Sequence, residues 1–427
     1  MMIRSTWNRL QFKYKLRALF HSTADRSSRY CTHYDVVIVG GGVMGSSSAY
    51  FLKNKAPSMK IAIIEKDTIY TQASSALSAS SFRQQFSISE NIRLSQWSHE
   101  FMKNIQHYLS VDGQDKPDVC IHESSYMFLA SKHTIDILEE NCALQRSCGA
   151  NINCIPAHGL SEHFDWLNVD GVCAGSFCED GREGWFDAWS LLTSFQKKAV
   201  SLGVEYIQGE CVQLNIDSKV SSVKIRREKD ERQIHCSNFI NAAGPWAGYL
   251  MEKVGIPLPV FPRKRYIFVI DCPKGPGRSM PMLVDTTGVY CRPDGNGTLY
   301  ICGQSPSEDK EPDISNLEVD YDYFYETIWP ALAYRVPSME ELKLKHSWAG
   351  YYDYNTLDQN GIIGPHSEVE NLYFVNGFSG HGIQQSPAVG NAISEVLLDG
   401  QYTEIDLSKF GYQRILNNEP VFEINVV

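Results

Sequence analysis

No apolar run in this chain approaches the roughly 20 residues that a membrane-spanning helix needs. The longest runs are strand-sized and broken by glycine, so the chain is expected to be soluble with no transmembrane segment. Twelve cysteines are present, yet no C-x-x-C pair occurs among them, and they are scattered from Cys31 to Cys302. That scatter argues against a zinc site and against a disulfide framework, so free thiols and no metal are expected. Internal repeats and low-complexity linkers are missing as well. With 427 residues, 43% of them hydrophobic, the chain is long enough for two domains with real cores.

The first thirty residues have almost no acid. Arg4, Arg9, Lys13, Lys15, Arg17, Arg26 and Arg29 stand against Asp25 alone, a local charge of +6; the whole chain carries −11, so the remainder carries −17. Serine, threonine and aromatic residues are interleaved with the basic ones, and no apolar core of secretory-signal length is present. This pattern predicts a disordered mitochondrial presequence over residues 1–33. The acidic body behind it would repel phosphate, so no nucleic-acid partner is expected.

Past this segment, Val36 to Val39 read as a buried parallel strand. Gly40, Gly42 and Gly45 then form G-x-G-x-x-G at a strand-to-helix turn, a helical stretch follows to about Leu52, and a second apolar run ends on Glu65. Strand, glycines, helix and terminal acid together specify a dinucleotide-binding βαβ unit. In it Gly40 allows the tight turn, Gly42 admits a pyrophosphate, Gly45 lets the helix approach the strand, and Glu65 accepts from a ribose hydroxyl. The motif by itself leaves FAD and NAD open.

Further on, helical spacing is read from Glu90 to Tyr108, Thr134 to Cys148 and Asp187 to Leu202. A meander is read at Val204–Gln208, Cys211–Ile216, Val220–Arg226 and Arg232–Cys236. Phe239 to Asn241 is read as a separate strand running into Gly244. The segment from Pro257 to about His346 is strand-rich and punctuated by proline, and the α/β pattern then returns with a strand at Tyr373–Val375. The expected fold is therefore α/β. A discontinuous Rossmann-like FAD-binding domain (34–95, 185–256 and 346–427) carries an inserted α+β, antiparallel-sheet substrate or cap domain (96–184 and 257–345).

Three distant segments place glycine and small residues after a predicted strand: Gly40–Gly45, Ala242–Gly244 and Gly377–Gly382. In a doubly wound sheet such ends converge on the ligand crevice. The third leads into a helix expected to start with Ser386 as its cap and Pro387 at its first position. That helix N-terminus would stabilise the negative charge of a reduced flavin, which favours flavin over nicotinamide.

These segments, together with the serine-rich run into Arg83-Gln84-Gln85, Asn241 to Trp246 and Asp358 to Pro365, resemble the D-amino-acid oxidase-like FAD oxidoreductases, the group of sarcosine and dimethylglycine dehydrogenases, over about residues 34–400. The resemblance implies that Gly40, Gly42, Gly45 and Gly244 enclose the ADP portion, that Glu65 holds its ribose, and that the Val212 backbone meets the adenine side. It places Ser74, Ser75, Ser78, Arg83, Gly377, Gly380, His381, Gly382 and Gln384 around the cofactor. Arg83, Tyr351, His381 and Gln384 are the expected catalytic residues; Arg265, Tyr266, Trp348 and Tyr352 are further candidates to line the site. Tyr351 replaces the anchoring cysteine of sarcosine oxidases, and no histidine lies in Ser74–Arg83, so FAD is expected to be noncovalent. Gln384 stands where relatives that clamp a substrate carboxylate carry a basic residue. The runs Glu183–Asp187, Pro262–Tyr266 and Trp348–Asn355 resemble a mitochondrial branch of the family. That branch implies a flavoprotein assisting the assembly of respiratory complex I, with its subunits or assembly intermediates as partners, on the matrix side or peripheral to the inner membrane. Two activities fit the resemblance: oxidation of a C–N bond in a secondary amine or amino acid by hydride transfer to flavin N5, or a catalytically weak scaffold in which FAD is mainly structural.

Overall fold

The computed structural model describes residues 32–295, 297–306 and 312–425. The expected presequence lies outside these residues, except that Thr32 is described and His33 already begins the first strand, His33–Val39.

Valine- and isoleucine-rich segments build the centre of an eight-stranded sheet. His33–Val39 runs parallel to Ile61–Glu65 on one side and to Asp230–Asn241 on the other. Their apolar side chains are buried on both faces, as helix-covered parallel strands require. Leu372–Asn376 extends the sheet, parallel to Asp230–Asn241. The expected meander differs in two ways. Glu205–Gln208 pairs in parallel with Ile61–Glu65. The two strands read at Arg232–Cys236 and Phe239–Asn241 are one continuous strand of 12 residues, Asp230–Asn241. Its first half pairs antiparallel with Val220–Arg227, and the strand also pairs parallel with His33–Val39. One long strand thus carries the chain from a surface hairpin to the ligand crevice.

The helix Val43–Lys55 is buried along most of its length, with Ser46, Ser47 and Ser48 inward. It packs against Gly382–Asp399, where Ser47 Oγ donates to the Ser386 carbonyl at 2.8 Å. A Cβ on Gly390 would lie 2.1 Å from Ser47 Oγ and 2.8 Å from the Ser47 carbonyl carbon. Small residues on both helices are what let them approach so closely.

A second eight-stranded sheet forms the cap. It unites Tyr126–Ala130, Ile152–Pro156 and Ala174–Cys178 with strands between Val260 and Asn355, and all its pairs are antiparallel except Met282–Val284 with Tyr126–Ala130. Two boundaries differ from the expected domains. The helix Ser89–Lys103, which the expected boundary at residue 96 would divide, packs wholly in the nucleotide-domain core through Leu94, Phe101 and Met102. The strand Lys343–Asn355 belongs to the cap sheet throughout, paired with Val260–Asp271. Among the described residues the cysteines are free, no cluster that could hold a metal occurs, and no helix is long and apolar enough to cross a membrane.

Alanine at Gly390 should gain about 1 kcal/mol in helix propensity and lose more to overpacking, which runs to about 1–3 kcal/mol. Gly390→Ala is therefore expected to lower the denaturant midpoint of the FAD-loaded protein; an unchanged or raised midpoint would show that the two helices can separate freely.

Candidate functional site

The carboxyl ends of the parallel strands open on a cavity of about 450 Å³. Its wall is assembled from Gly40 and Gly42, Glu65, Ser74 and Ser75, Leu77 to Ser81, Gly209 to Cys211, Ala242 to Trp246 and Phe378 to Gln384. The turn after Leu372–Asn376 reaches the helix that follows Gly40–Gly42, where a Cβ on Gly382 would sit 3.0 Å from Met44 Cε, and Asn376 Nδ2 donates to the Asn241 carbonyl of the neighbouring strand end at 3.0 Å.

Backbone crowding explains the first glycines. Gly40 has φ +105°, and a Cβ there would lie 2.1 Å from the Ala242 carbonyl oxygen. A Cβ on Gly45 would lie 1.9 Å from the Gly40 carbonyl oxygen, so the helix can start against the strand only with glycine there. Gly42 is different. Its Cβ would meet only Ser75 Oγ at 3.4 Å, and as N-cap it supplies no side-chain bond to the helix. It leaves the helix N-terminus open to the cavity, apart from Val43 N, which donates to Ser75 Oγ at 3.1 Å. Glu65 accepts from Gly41 N and Asp67 N, both at 2.8 Å, and its remaining lone pairs are available to a hydroxyl. Burial raises the Glu65 carboxyl above its usual range. Lys66 Nζ lies 3.7 Å above the Trp246 ring at the same end of the cavity. Gly244, at φ +55°, lines the wall, and a Cβ there would meet no atom within 4 Å. Val212, expected on the adenine side, falls between the paired residues Cys211 and Gln213 at a register shift of the hairpin, next to Gly209, Glu210 and Cys211, which line the cavity.

At the other end, the helix expected to begin at Pro387 with Ser386 as its cap begins five residues earlier, at Gly382, with His381 as N-cap. Pro387 sits inside it and cannot donate to the Ile383 carbonyl; Ser386 Oγ donates there at 3.0 Å. The dipole end therefore falls on the Gly380–Gly382 turn itself. Asp353 pins that turn by accepting from Gly377 N at 2.7 Å and Phe378 N at 3.1 Å, and burial pushes its carboxyl up to about 6. Gly377 and Gly380 adopt φ +80° and +99°, and Gly377 supports the turn from behind the lining residues.

His381 lines the cavity, buried, with neither ring nitrogen hydrogen-bonded in the structure. Burial and then the Arg83 charge pull its imidazole down to about 3, so it is neutral. Arg83 reaches the wall, but its guanidinium donates to the Gln85 and Asn425 carbonyls and stacks 4.0 Å over Phe86. Gln384 Oε1 accepts from Arg83 N at 2.6 Å. The Tyr351 hydroxyl donates to the Ile314 carbonyl at 2.7 Å, while Ser74 Oγ donates to the Tyr351 carbonyl at 2.6 Å. Ser78 Oγ accepts from Ser80 N at 2.9 Å. Arg265 and Tyr352 line the cavity together, with Arg265 Nε 3.1 Å from the Tyr352 hydroxyl. Tyr266 belongs to the cap core, and Trp348 Nε1 donates to the Leu77 carbonyl; neither lines the cavity. Tyr126, Met282 and Tyr290 do line it, and nothing in their local sequence marks them. Behind them, buried Glu183 accepts from Gln84 N, Gln85 Nε2 and Tyr126 N, tying the arginine loop to the cap, and burial pushes it up to about 7.

An open helix N-terminus beside an uncrowded glycine, a strand-terminal carboxylate and a second helix N-terminus at the far end fit the pyrophosphate, ribose and flavin of FAD. A bulky side chain at position 42 would fill the cradle. Gly42→Leu is expected to yield folded, colourless protein, checked by circular dichroism alongside the visible flavin spectrum; full FAD retention would refute the placement.

The model of the family described as FAD dependent oxidoreductase matches residues 35–396. A Xenopus laevis protein named FAD-dependent oxidoreductase domain-containing protein 1 is 45% identical, covering 92% of this chain and 85% of that one. Mitochondrial dimethylglycine dehydrogenase of Rattus norvegicus is 25% identical over 88% of this chain and 45% of its own. Among solved structures, L-proline dehydrogenase from P.horikoshii superposes with a TM-score of 0.79 at 23% identity, covering 92% of this chain and all of that one. Glycine oxidase from Geobacillus kaustophilus gives 0.74 at 23% identity, covering 89% and 98%. The chain belongs to the FAD dependent oxidoreductase family, and FAD is its cofactor.

Proposed function

We propose that this protein is a mitochondrial flavoprotein that oxidises a C–N bond in a secondary amine or amino acid, in association with complex I subunits or assembly intermediates. Bound FAD would supply the two-electron acceptor for such a bond. The chain's own residues do the rest. The Gly382 helix end supports negative charge on the cofactor, and the apolar cap strands exclude water. Neutral His381 lines the cavity with neither ring nitrogen hydrogen-bonded among the described residues, and it adds no positive charge that would repel an ammonium substrate. That neutral, dry, unpartnered imidazole is the observation that carries the enzymatic reading. The names of the relatives, an N-methylated amino acid dehydrogenase and enzymes of proline and glycine, support the substrate class. Noncovalent FAD is consistent with Tyr351 at the anchoring position. The matrix or inner-membrane location rests on the basic first thirty residues and on the mitochondrial relative. The complex I role rests on the family resemblance in the runs around Glu183, Pro262 and Trp348.

One observation favours the second reading, a catalytically weak scaffold. Arg83 and Gln384, both expected at the chemistry, are bonded to protein groups.

Anaerobic mixing with a panel of N-methylated amino acids is expected to bleach the flavin. Failure across the panel, with intact association to respiratory-chain intermediates on native gels, would establish the scaffold reading. Because His381 is already neutral, flavin reduction between about pH 5 and 8, where an ordinary histidine titrates, should carry no inflection from it. His381→Asn should therefore alter the rate but not the shape of the profile in stopped-flow measurements.

A further inference from the structure

The segment Glu419–Asn425 lies outside every helix and strand and crosses the nucleotide domain as a strap. It is anchored by polar groups. Asn360 Nδ2 donates to the Val421 carbonyl at 2.6 Å. Val421 N donates at 3.0 Å to Asp358 Oδ2, the oxygen that also pairs with Arg414 Nε at 2.7 Å. Glu423 is 2% exposed. Its Oε1 accepts from Ser87 N at 2.8 Å, Ser87 Oγ at 2.6 Å and Asn425 N at 3.0 Å; its Oε2 accepts from Asn91 Nδ2 at 2.9 Å. The apolar residues on either side of it, Phe422 and Ile424, are each 57% exposed. Insertion of one carboxylate, and not apolar burial, holds this part of the strap down.

At Asn425 the strap meets Arg83, a residue of the cavity wall. Arg83 Nη2 donates to the Asn425 carbonyl and Nη1 to the Gln85 carbonyl, while Asn425 Nδ2 donates to that same Gln85 carbonyl at 3.3 Å. Arg83 is 5% exposed and makes no ion pair among the described residues. Its N–H groups go to neutral carbonyls, and Glu423 and Glu183 support its charge only from a distance; a carboxylate is the stronger acceptor for the same N–H groups. Strap and carboxylate ligand therefore compete for Arg83.

We propose that Glu423 and Asn425 are positioning residues: they hold Arg83 to the strap and so set the affinity of the flavin end for carboxylate ligands. Glu423 acts by fixing the strap, and Asn425 supplies the carbonyl that Arg83 grips. Releasing the strap frees guanidinium N–H groups toward the cavity. The proposal needs bound FAD but no turnover, so it stands or falls separately from the amine-oxidising reading.

The test is a titration of the FAD-loaded full chain with benzoate and with neutral benzamide, followed by the perturbation of the flavin spectrum. Glu423→Ala removes the four contacts to the carboxylate, and deletion from Glu419 onward removes the strap. Both variants should bind benzoate about tenfold more tightly, the worth of one charge-assisted bond, with benzamide unchanged. Adding Arg83→Met should abolish the gain. The idea is overturned if the two ligands shift together, if neither variant binds benzoate, or if the gain survives Arg83→Met. Should both variants fail to retain FAD, the unmodified protein decides. Linkage requires that benzoate, and not benzamide, speed hydrogen exchange at the Ser87 and Ile424 amides, and equal exchange with the two ligands would overturn the proposal.

Discussion

The site depends on one steric constraint: three stretches of backbone approach each other more closely than any Cβ allows. Gly40 lies against the Ala242 carbonyl, and Gly45 lies against the Gly40 carbonyl. Each contact brings main-chain atoms within the space a methyl group would occupy. The first helix can then start directly above the strand ends, and its unpaired N–H groups face the cavity. The same economy of side chain recurs where Gly390 meets Ser47, so the helix that ends the flavin pocket packs on the helix that begins the pyrophosphate pocket. Two helix N-termini are thereby aimed into one cavity from separate parts of the chain.

Charge in this cavity is governed by burial. His381 loses its proton because its surroundings are dry and Arg83 is near. Burial lets Asp353 and Glu183 keep theirs to higher pH, while each spends oxygens on backbone N–H groups that define a loop. These acids are fasteners: Asp353 shapes the turn that carries His381, and Glu183 ties the Arg83 loop to the cap strand of Tyr126. Arg83 completes the set as a cation whose acceptors are carbonyl oxygens, one of them from the strap. The flavin end is in this way wired to a segment 342 positions further along the chain.

Much of this is legible in the sequence, for identifiable reasons. The Val36–Val39 strand, the Gly40–Gly45 turn and Glu65 are local: strand, turn and helix follow from residues within one another's reach. What misleads is also local. Ser386-Pro387 has the form of a helix start, yet the helix begins at Gly382, because Ser386 Oγ replaces the donor that Pro387 lacks. A polar break at Ser237 and Asn238 suggests two strands, where pairing with strands on both sides sustains one. The bulge at Val212 likewise leaves no mark in hydrophobicity.

The amino-acid sequence alone determined the cofactor class and the parallel core, since glycine where no Cβ fits and valine where no water reaches are properties of single positions. Only the tertiary structure decided what the long polar side chains do. Arg83, Gln384 and Tyr351 all line the cavity, and each also has a protein partner, supplied by the strap, the arginine loop or the segment around Ile314. A hydrogen bond made by a flexible side chain goes to whichever acceptor folding brings within reach, and those acceptors lie far off along the chain.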